Sequence, residues 1–159
     1  MKKEAVKAFT TRVTQASRSE LTVILYEMTL TELKEAREAY EQGDMAVFDK
    51  ELKLARKYVT ELQATLNYSY AISYELLSLY LYVNKEIVTA IVRKEPEPLD
   101  SAEQVLKTLL VGFEGVSRAD QSGPVMRNTQ QLYAGLTYGK GYLNETYVDP
   151  NDKNRGFMA

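Results

Sequence analysis

The stretch DMAVFDKELKLARKYVTELQATL, residues 44–66, gives the clearest structural signal in the sequence. Its apolar residues recur at alternating steps of four and three, and they are Phe48, Leu52, Ala55, Val59, Leu62 and Leu66. This spacing is that of an α-helix packed lengthwise on neighbouring helices. Charged residues, among them Lys50, Glu51 and Lys57, are assigned to the other faces. The stretch therefore predicts one helix of a helical bundle.

The residues before this stretch predict a helix that runs antiparallel to it. Ser17 followed by Glu20 is the pattern of a capping box, in which each side chain binds a free backbone N–H at the start of a helix. Apolar residues then recur at helical spacing as far as Tyr40. Gly43 is placed to end this helix and Asp44 to cap the next one. A turn this short joins helices that lie antiparallel.

The third predicted helix is apolar on more than one side. A break in the helical pattern is expected at residues 67–69, and the main stripe of the helix beyond it consists of Ile72, Leu76, Leu79, Val83, Ile87 and Ala90. Four further residues lie off that stripe, namely Tyr74, Leu77, Leu81 and Val88. Such a helix either lies in the centre of a bundle or keeps an apolar face for another molecule. Pro96 and Pro98 end it, because proline cannot continue a helix interior.

Five tyrosines crowd the start and middle of this third helix, namely Tyr68, Tyr70, Tyr74, Tyr80 and Tyr82. Aromatic rings with a polar tip are enriched at protein interfaces. The same rings also suit a bundle core whose phenol groups reach the solvent. In the same way, the additional apolar face is either a groove for a partner helix or a part of the core closed by other segments of the chain. Spacing alone leaves both interpretations open.

The remaining segments complete an all-α architecture. Asp100 with Glu103 is expected to start a fourth helix, and residues 1–16 have the weak periodicity of a short amphipathic helix. The sequence thus predicts an antiparallel four-helix bundle over residues 17–120, with a short helical segment at its amino-terminal side. Residues 121–159, rich in tyrosine and glycine, are predicted to form an irregular C-terminal tail.

Composition excludes several classes of function. The 159 residues contain neither cysteine nor histidine, so the usual thiolate nucleophile, the neutral-pH general base and the common zinc ligands are missing. We therefore expect no enzyme, no cofactor and no metal site. A net charge of -2 without a long basic run argues against nucleic acid and anionic membranes as partners. No apolar run approaches the ~20 residues of a membrane span, and a soluble cytoplasmic protein is expected. The mixed charges at Glu32, Lys34, Glu35, Arg37 and Glu38 are typical of a solvated helix face.

Two stretches resemble the flagellar secretion chaperones of the FliS family. They are SRSELTVILYEMTLTELKEA, residues 17–36, and ELQATLNYSYAISYELLSLYLYV, residues 61–83. The most specific parts are the Ser-x-x-Glu-Leu opening with Leu-Tyr, the Glu-Leu…Thr-Leu-Asn run and the Leu-Tyr-x-Tyr motif. The resemblance extends over about residues 9–118. This chain departs from the family pattern at Lys85-Glu86, where a basic pair is common, and at Ile91 and Phe113, where asparagine and tryptophan are common.

The resemblance implies a bundle that binds the C-terminal segment of flagellin and prevents its polymerisation before export. The client segment, disordered when free, wraps around the bundle largely as helix in apolar grooves. An N-terminal segment covers part of that surface in the free state, and here Val6, Phe9 and Val13 would form this lid. The residues predicted to bind the client are Leu21, Ile24, Leu25, Leu62, Leu66, Ile72, Leu76, Leu79, Tyr80 and Val83, some of which must instead belong to the core.

Other functions stay open at this stage. The chain could be an interaction or dimerisation module that uses the tyrosine-rich face, or a chaperone for another secreted filament subunit. The flagellar export machinery is a further candidate partner, and the free protein is expected to be a monomer or a weak homodimer. The tail could occupy the client groove in cis through Val125, Met126, Leu132, Tyr133 and Leu136.

Overall fold

The computed structural model of the protein describes residues 1–126, and these residues contain five α-helices and no β-strand. The helices are α1 (Lys3–Gln15), α2 (Arg18–Glu41), α3 (Met45–Ala64), α4 (Ile72–Arg93) and α5 (Leu99–Ala119). The all-α prediction is confirmed. The predicted irregular tail lies almost wholly outside the described residues.

Helices α2 to α5 form a four-helix bundle around one core. α2 packs against α3 and α5, and α4 packs against the same two helices, so the four helices close a ring. α2 and α5 are antiparallel, because Arg37 near the end of α2 binds Asp100 at the start of α5, and Ser19 at the start of α2 binds Asp120 after the end of α5. α1 lies outside this ring and packs on α2. The predicted bundle is thus confirmed.

The core draws apolar side chains from all four bundle helices. It includes Leu33 from α2, Leu52 from α3, Ile87 from α4 and Leu106 from α5, each fully buried. At its centre, α2 and α4 contribute one tyrosine each. The hydroxyl groups of Tyr26 and Tyr80 hydrogen-bond to each other across the bundle. One hydroxyl donates and the other accepts, so neither buried phenol oxygen is left without a hydrogen-bond partner.

The observed start of α2, its end and the start of α3 agree with the predicted helix ends. The Ser17 side chain accepts a hydrogen bond from the Glu20 N–H, and the Glu20 carboxylate accepts one from the Ser17 N–H, so the capping box is present. Gly43 has φ of 75°, a left-handed conformation that glycine adopts without strain, and Asp44 caps α3 by accepting from the Val47 N–H.

The start of the fourth bundle helix differs from the prediction. α5 begins at Leu99, directly after Pro98, and no side chain caps it. Asp100 and Glu103 instead bind the guanidinium of Arg37, with N–O distances of 2.6 and 3.3 Å. Proline explains the difference, because its fixed φ already suits the first turn of a helix and it has no N–H that needs a partner.

Candidate protein-binding surface

Helix α4 carries apolar side chains on three sides, and only one side faces the core. The core side consists of Ser73, Leu76, Tyr80, Val83, Ile87 and Ala90, all of them buried. α4 is also the most apolar helix of the bundle, whereas an ordinary surface helix keeps a single apolar stripe. The two remaining apolar sides therefore require another explanation.

A second stripe runs along the length of α4 on the side away from the core. It consists of Tyr74, Leu77, Leu81, Val88 and Val92, which we call the outer stripe. Tyr74, Leu81 and Val92 are 59%, 52% and 74% exposed, and the other two residues are half-buried. Steps of three, four and seven residues place all five on one face of the helix. The outer stripe is therefore an apolar surface in contact with solvent, interrupted between Leu81 and Val88, where this side of the helix carries Asn84 and Lys85.

Further apolar side chains are exposed at the start of α4 and on its third side. Ile72, Leu79 and Tyr82 are exposed on that helix, and Tyr68 and Tyr70 are exposed in the connection from α3. The rings of Tyr68 and Tyr74 lie 5.3 Å apart, which joins the connection to the outer stripe. Of the five clustered tyrosines, only Tyr80 is a core residue. The other four favour the interface interpretation.

The ten residues predicted to bind a partner fall into two groups. Ile24, Leu62, Leu76, Tyr80 and Val83 are buried, so they do not form an outer surface of this structure. Leu21, Leu25 and Leu66 are half-buried, and Ile72 and Leu79 are exposed. Leu62, Leu76, Tyr80 and Val83 belong to the core of the bundle, whereas Ile24 is buried outside it. Client binding by the accessible residues stays a prediction.

The sequence analysis identified four of the five residues of the outer stripe but did not include them among the residues predicted to bind a partner. Tyr74, Leu77, Leu81 and Val88 lie off the main stripe in the sequence, and that was the available signal. Val92 follows Val88 by four residues and extends the same face. The main stripe also contains exposed residues, Ile72 and Leu79, so neither stripe of α4 alone identifies the exposed surface.

Helix α1 lies antiparallel along one side of α2. The Lys2 ammonium binds Glu38 at 3.0 Å near the end of α2, and Arg12 forms an ion pair with Glu27 one turn beyond Ile24. Of the predicted lid residues, Phe9 and Val13 are half-buried and Val6 is exposed. Ile24 is buried although it is not part of the central core. This arrangement is consistent with cover of Ile24 by α1.

An acidic pocket lies where the amino terminus meets α2 and α3. The Met1 ammonium lies 2.8 Å from Glu51, 3.2 Å from Glu32 and 3.2 Å from Glu35. Oxygens of the three carboxyl groups lie within 4.8 Å of one another, close enough to surround one cation. Glu32 and Glu51 are buried, so their assignment to solvated helix faces was wrong.

The pKa values in this pocket follow from burial and from the shared positive charge. Burial, together with a hydrogen bond to Glu51, raises the pKa of Glu32 to about 8. Burial acts in the same direction on Glu51, but its hydrogen bonds with Glu32 and the Met1 ammonium outweigh it and lower the pKa of Glu51. For the Met1 ammonium, burial opposes the charge, but the carboxylates prevail and the pKa is raised.

The fold and the exposed surface of α4 define the class: a helical bundle that leaves apolar helix faces exposed to solvent. A sequence model of the family described as flagellar protein FliS matches residues 1–120, about three quarters of the chain. The chain therefore belongs to the FliS family, a family of flagellar export chaperones. Among curated proteins, none matches this sequence. Within residues 1–126, no helix has the length and apolar character required to span a bilayer.

Proposed function

We propose that this protein binds the C-terminal segment of flagellin in the cytoplasm and prevents its polymerisation before export. Membership in a family of flagellar export chaperones supports the class of client. The observation that carries the proposal for this chain is the outer stripe of α4, because a self-contained bundle has no need of a second, solvent-exposed apolar stripe on one of its helices.

The dimensions of the outer stripe suit a helical client. From Tyr74 to Val92 the stripe covers eighteen residue steps, which is about 27 Å at 1.5 Å per residue. An amphipathic helix of about the same length can lay its apolar face along such a stripe. A client that is disordered when free must lose conformational entropy as it folds, so it needs a large apolar contact area. The exposed tyrosines beside the stripe enlarge that area.

We propose further that α1 acts as a replaceable lid. It packs on α2 outside the four-helix core, and none of its residues is fully buried. The side of α2 that bears Ile24 would become available to the client when α1 leaves. The client surface would then combine this side of α2 with the exposed sides of α4.

Titration with a flagellin C-terminal peptide tests the proposal. Calorimetry should give a dissociation constant in the micromolar range or below, and circular dichroism should report helix formation in the peptide. Leu81→Glu places a charge in the middle of the outer stripe and should weaken binding at least tenfold, or by about 1.4 kcal/mol. Gln104→Glu is the matched control, because it adds the same charge at an exposed position of α5 and should change binding less than twofold.

Two outcomes would overturn the proposal. The first is absence of binding to the intact chain at 100 μM peptide, and the second is equal affinity of the Leu81→Glu and Gln104→Glu variants. Sedimentation of the same variants identifies the main competing function. A dimer that dissociates in Leu81→Glu, without any peptide binding, would assign the outer stripe to contact between two copies of the chain.

A further inference from the structure

The acidic pocket formed by Glu32, Glu35 and Glu51 has no role in the proposed binding of a client. Two of its carboxyl groups come from consecutive turns of α2 and the third from α3. The Met1 ammonium contacts all three, and the Lys2 N–H adds a hydrogen bond of 3.1 Å to Glu35. The pocket therefore holds one primary ammonium group among three acids.

Burial makes this arrangement different from an ordinary surface cluster. Glu32 is fully buried, and neither of its carboxyl oxygens accepts a hydrogen bond of good geometry from a donor within residues 1–126. When Glu32 is protonated, its own O–H donates to Glu51. A buried carboxylate without partners is costly unless a cation or a proton compensates it. The Met1 ammonium is the cation in contact with it, at 3.2 Å. The Lys50 ammonium lies 3.7 Å from Glu51, and its own side chain is largely exposed.

Helix α1 needs an anchor of this kind. It has thirteen residues, no fully buried side chain and no side-chain cap at its start. Helices of this length are marginal in water without tertiary packing. The salt bridges of Lys2 with Glu38 and of Arg12 with Glu27 involve partly exposed side chains, and exposed pairs contribute little. The ammonium in the acidic pocket is its most deeply enclosed polar contact among those described.

We propose that Glu32, Glu35 and Glu51 form a binding site for a primary ammonium group, and that the Met1 ammonium in this site anchors α1 to the bundle. The specificity follows from the donor geometry: three N–H groups of one ammonium can each point towards a different carboxyl group. α1 is thus held at its start by charge and along its length by limited apolar contact. Release of the ammonium frees the start of the helix.

Hydrogen exchange measured by NMR on the full chain tests this site without any client. Acetylation of the Met1 amino group removes its charge and should reduce the protection of α1 amides at least tenfold, while α2 to α5 keep theirs. Glu51→Gln removes the negative charge of the group that lies 2.8 Å from the ammonium and should give the same selective loss of protection. Glu38→Gln is the matched control, because Glu38 binds only the exposed Lys2 side chain among the contacts of this segment, and it should change protection less than twofold.

The remaining outcomes overturn the proposal. Unchanged protection in the acetylated chain would show that α1 is held by other contacts. If acetylation lowers the protection of α1 amides and Glu51→Gln does not, the effect comes from the bulk of the acetyl group and not from the lost charge. If 1 mM Ca²⁺ or Mn²⁺ releases α1 from the unmodified chain, the three carboxyl groups prefer a divalent metal ion. Failure of client binding would leave the exchange result unaffected, so the two proposals are tested separately.

Discussion

At the scale of single residues, Glu32 is expected to contribute most to the pH dependence of stability between pH 4.5 and 8. Its pKa of about 8 in the folded protein lies above the ordinary value of 4.5, so the folded state keeps a proton that the unfolded state loses between these values. The stabilisation is complete below pH 4.5 and is lost as the pH rises towards 8. The free energy of unfolding should therefore fall by up to about 1.4 kcal/mol per pH unit in this window.

Glu32→Gln should remove this slope and raise the stability near pH 7.5, because the amide is neutral at every pH and fits the same space. Urea unfolding at pH 5, 6 and 7.5 measures the effect. In this window the neighbouring groups change little, since the pKa of Glu51 is lowered below 4.5 and that of the Met1 ammonium is raised above 8.0. If the free energy of unfolding of Glu32→Gln depends on pH as it does in the original chain, the slope does not come from Glu32. Glu38→Gln, at a more accessible position of α2, is the control.

The paired phenols in the core give a second prediction at this scale. Tyr26→Phe keeps the ring contact with Phe113 but leaves the buried Tyr80 hydroxyl without its partner. We expect a loss of about 1–3 kcal/mol in the free energy of unfolding. The double variant Tyr26→Phe/Tyr80→Phe should lose less than the sum of the two single variants, because no orphaned hydroxyl remains. Additive losses in urea unfolding would mean that the two hydroxyl groups do not depend on each other.

At the scale of the elements, α1 is the helix whose removal should change function without loss of the fold. Deletion of residues 1–14 should expose Ile24 and neighbouring apolar groups of α2, and so speed or tighten the binding of a flagellin C-terminal peptide. Stopped-flow kinetics and calorimetry measure the two effects. Identical rates and affinity in the deleted chain would remove the lid from the mechanism.

Point substitutions provide a matched test of the same element. Phe9→Ala shortens a half-buried side chain of α1 and should shift peptide binding in the direction of the deletion. Val6→Ala shortens an exposed one and should have no effect. Equal behaviour of the two variants would indicate that the side of α1 facing the bundle does not act as a cover.

The elements also show how far sequence reasoning extends. The period of α3 and the caps at Ser17 and Asp44 were sufficient to predict the bundle, because these signals are local. The spacing of apolar residues in α4 could not show which of them are buried, because this helix has more than one apolar stripe. Packing against the other helices determines which stripe faces the core. Glu51 follows Phe48 by three residues and thus lies on the core face of α3, which was an overlooked sign of its burial.

At the scale of the whole molecule, the acidic pocket was beyond local reasoning for a different reason. Its carboxyl groups at positions 32, 35 and 51 gain their cation from position 1, and only the folded chain brings these residues together. Charged residues are rarely buried unless they are paired, so sequence alone places them on the surface by default. The predicted occupation of the client groove by the tail concerns residues largely outside those described, and it stays a prediction.

The contacts between α2 and α5 close the ring of four helices without α1, and this has a consequence for the effect of substitutions in α1. Because the interior is complete before α1 is added, the thermal stability of the bundle and the fraction of time that the side of α2 lies open are separate properties. A substitution among residues 3–15 can adjust the second without cost to the first. Under the proposed function, affinity for the client would then change through the amino-terminal helix alone, while the four-helix scaffold keeps its form.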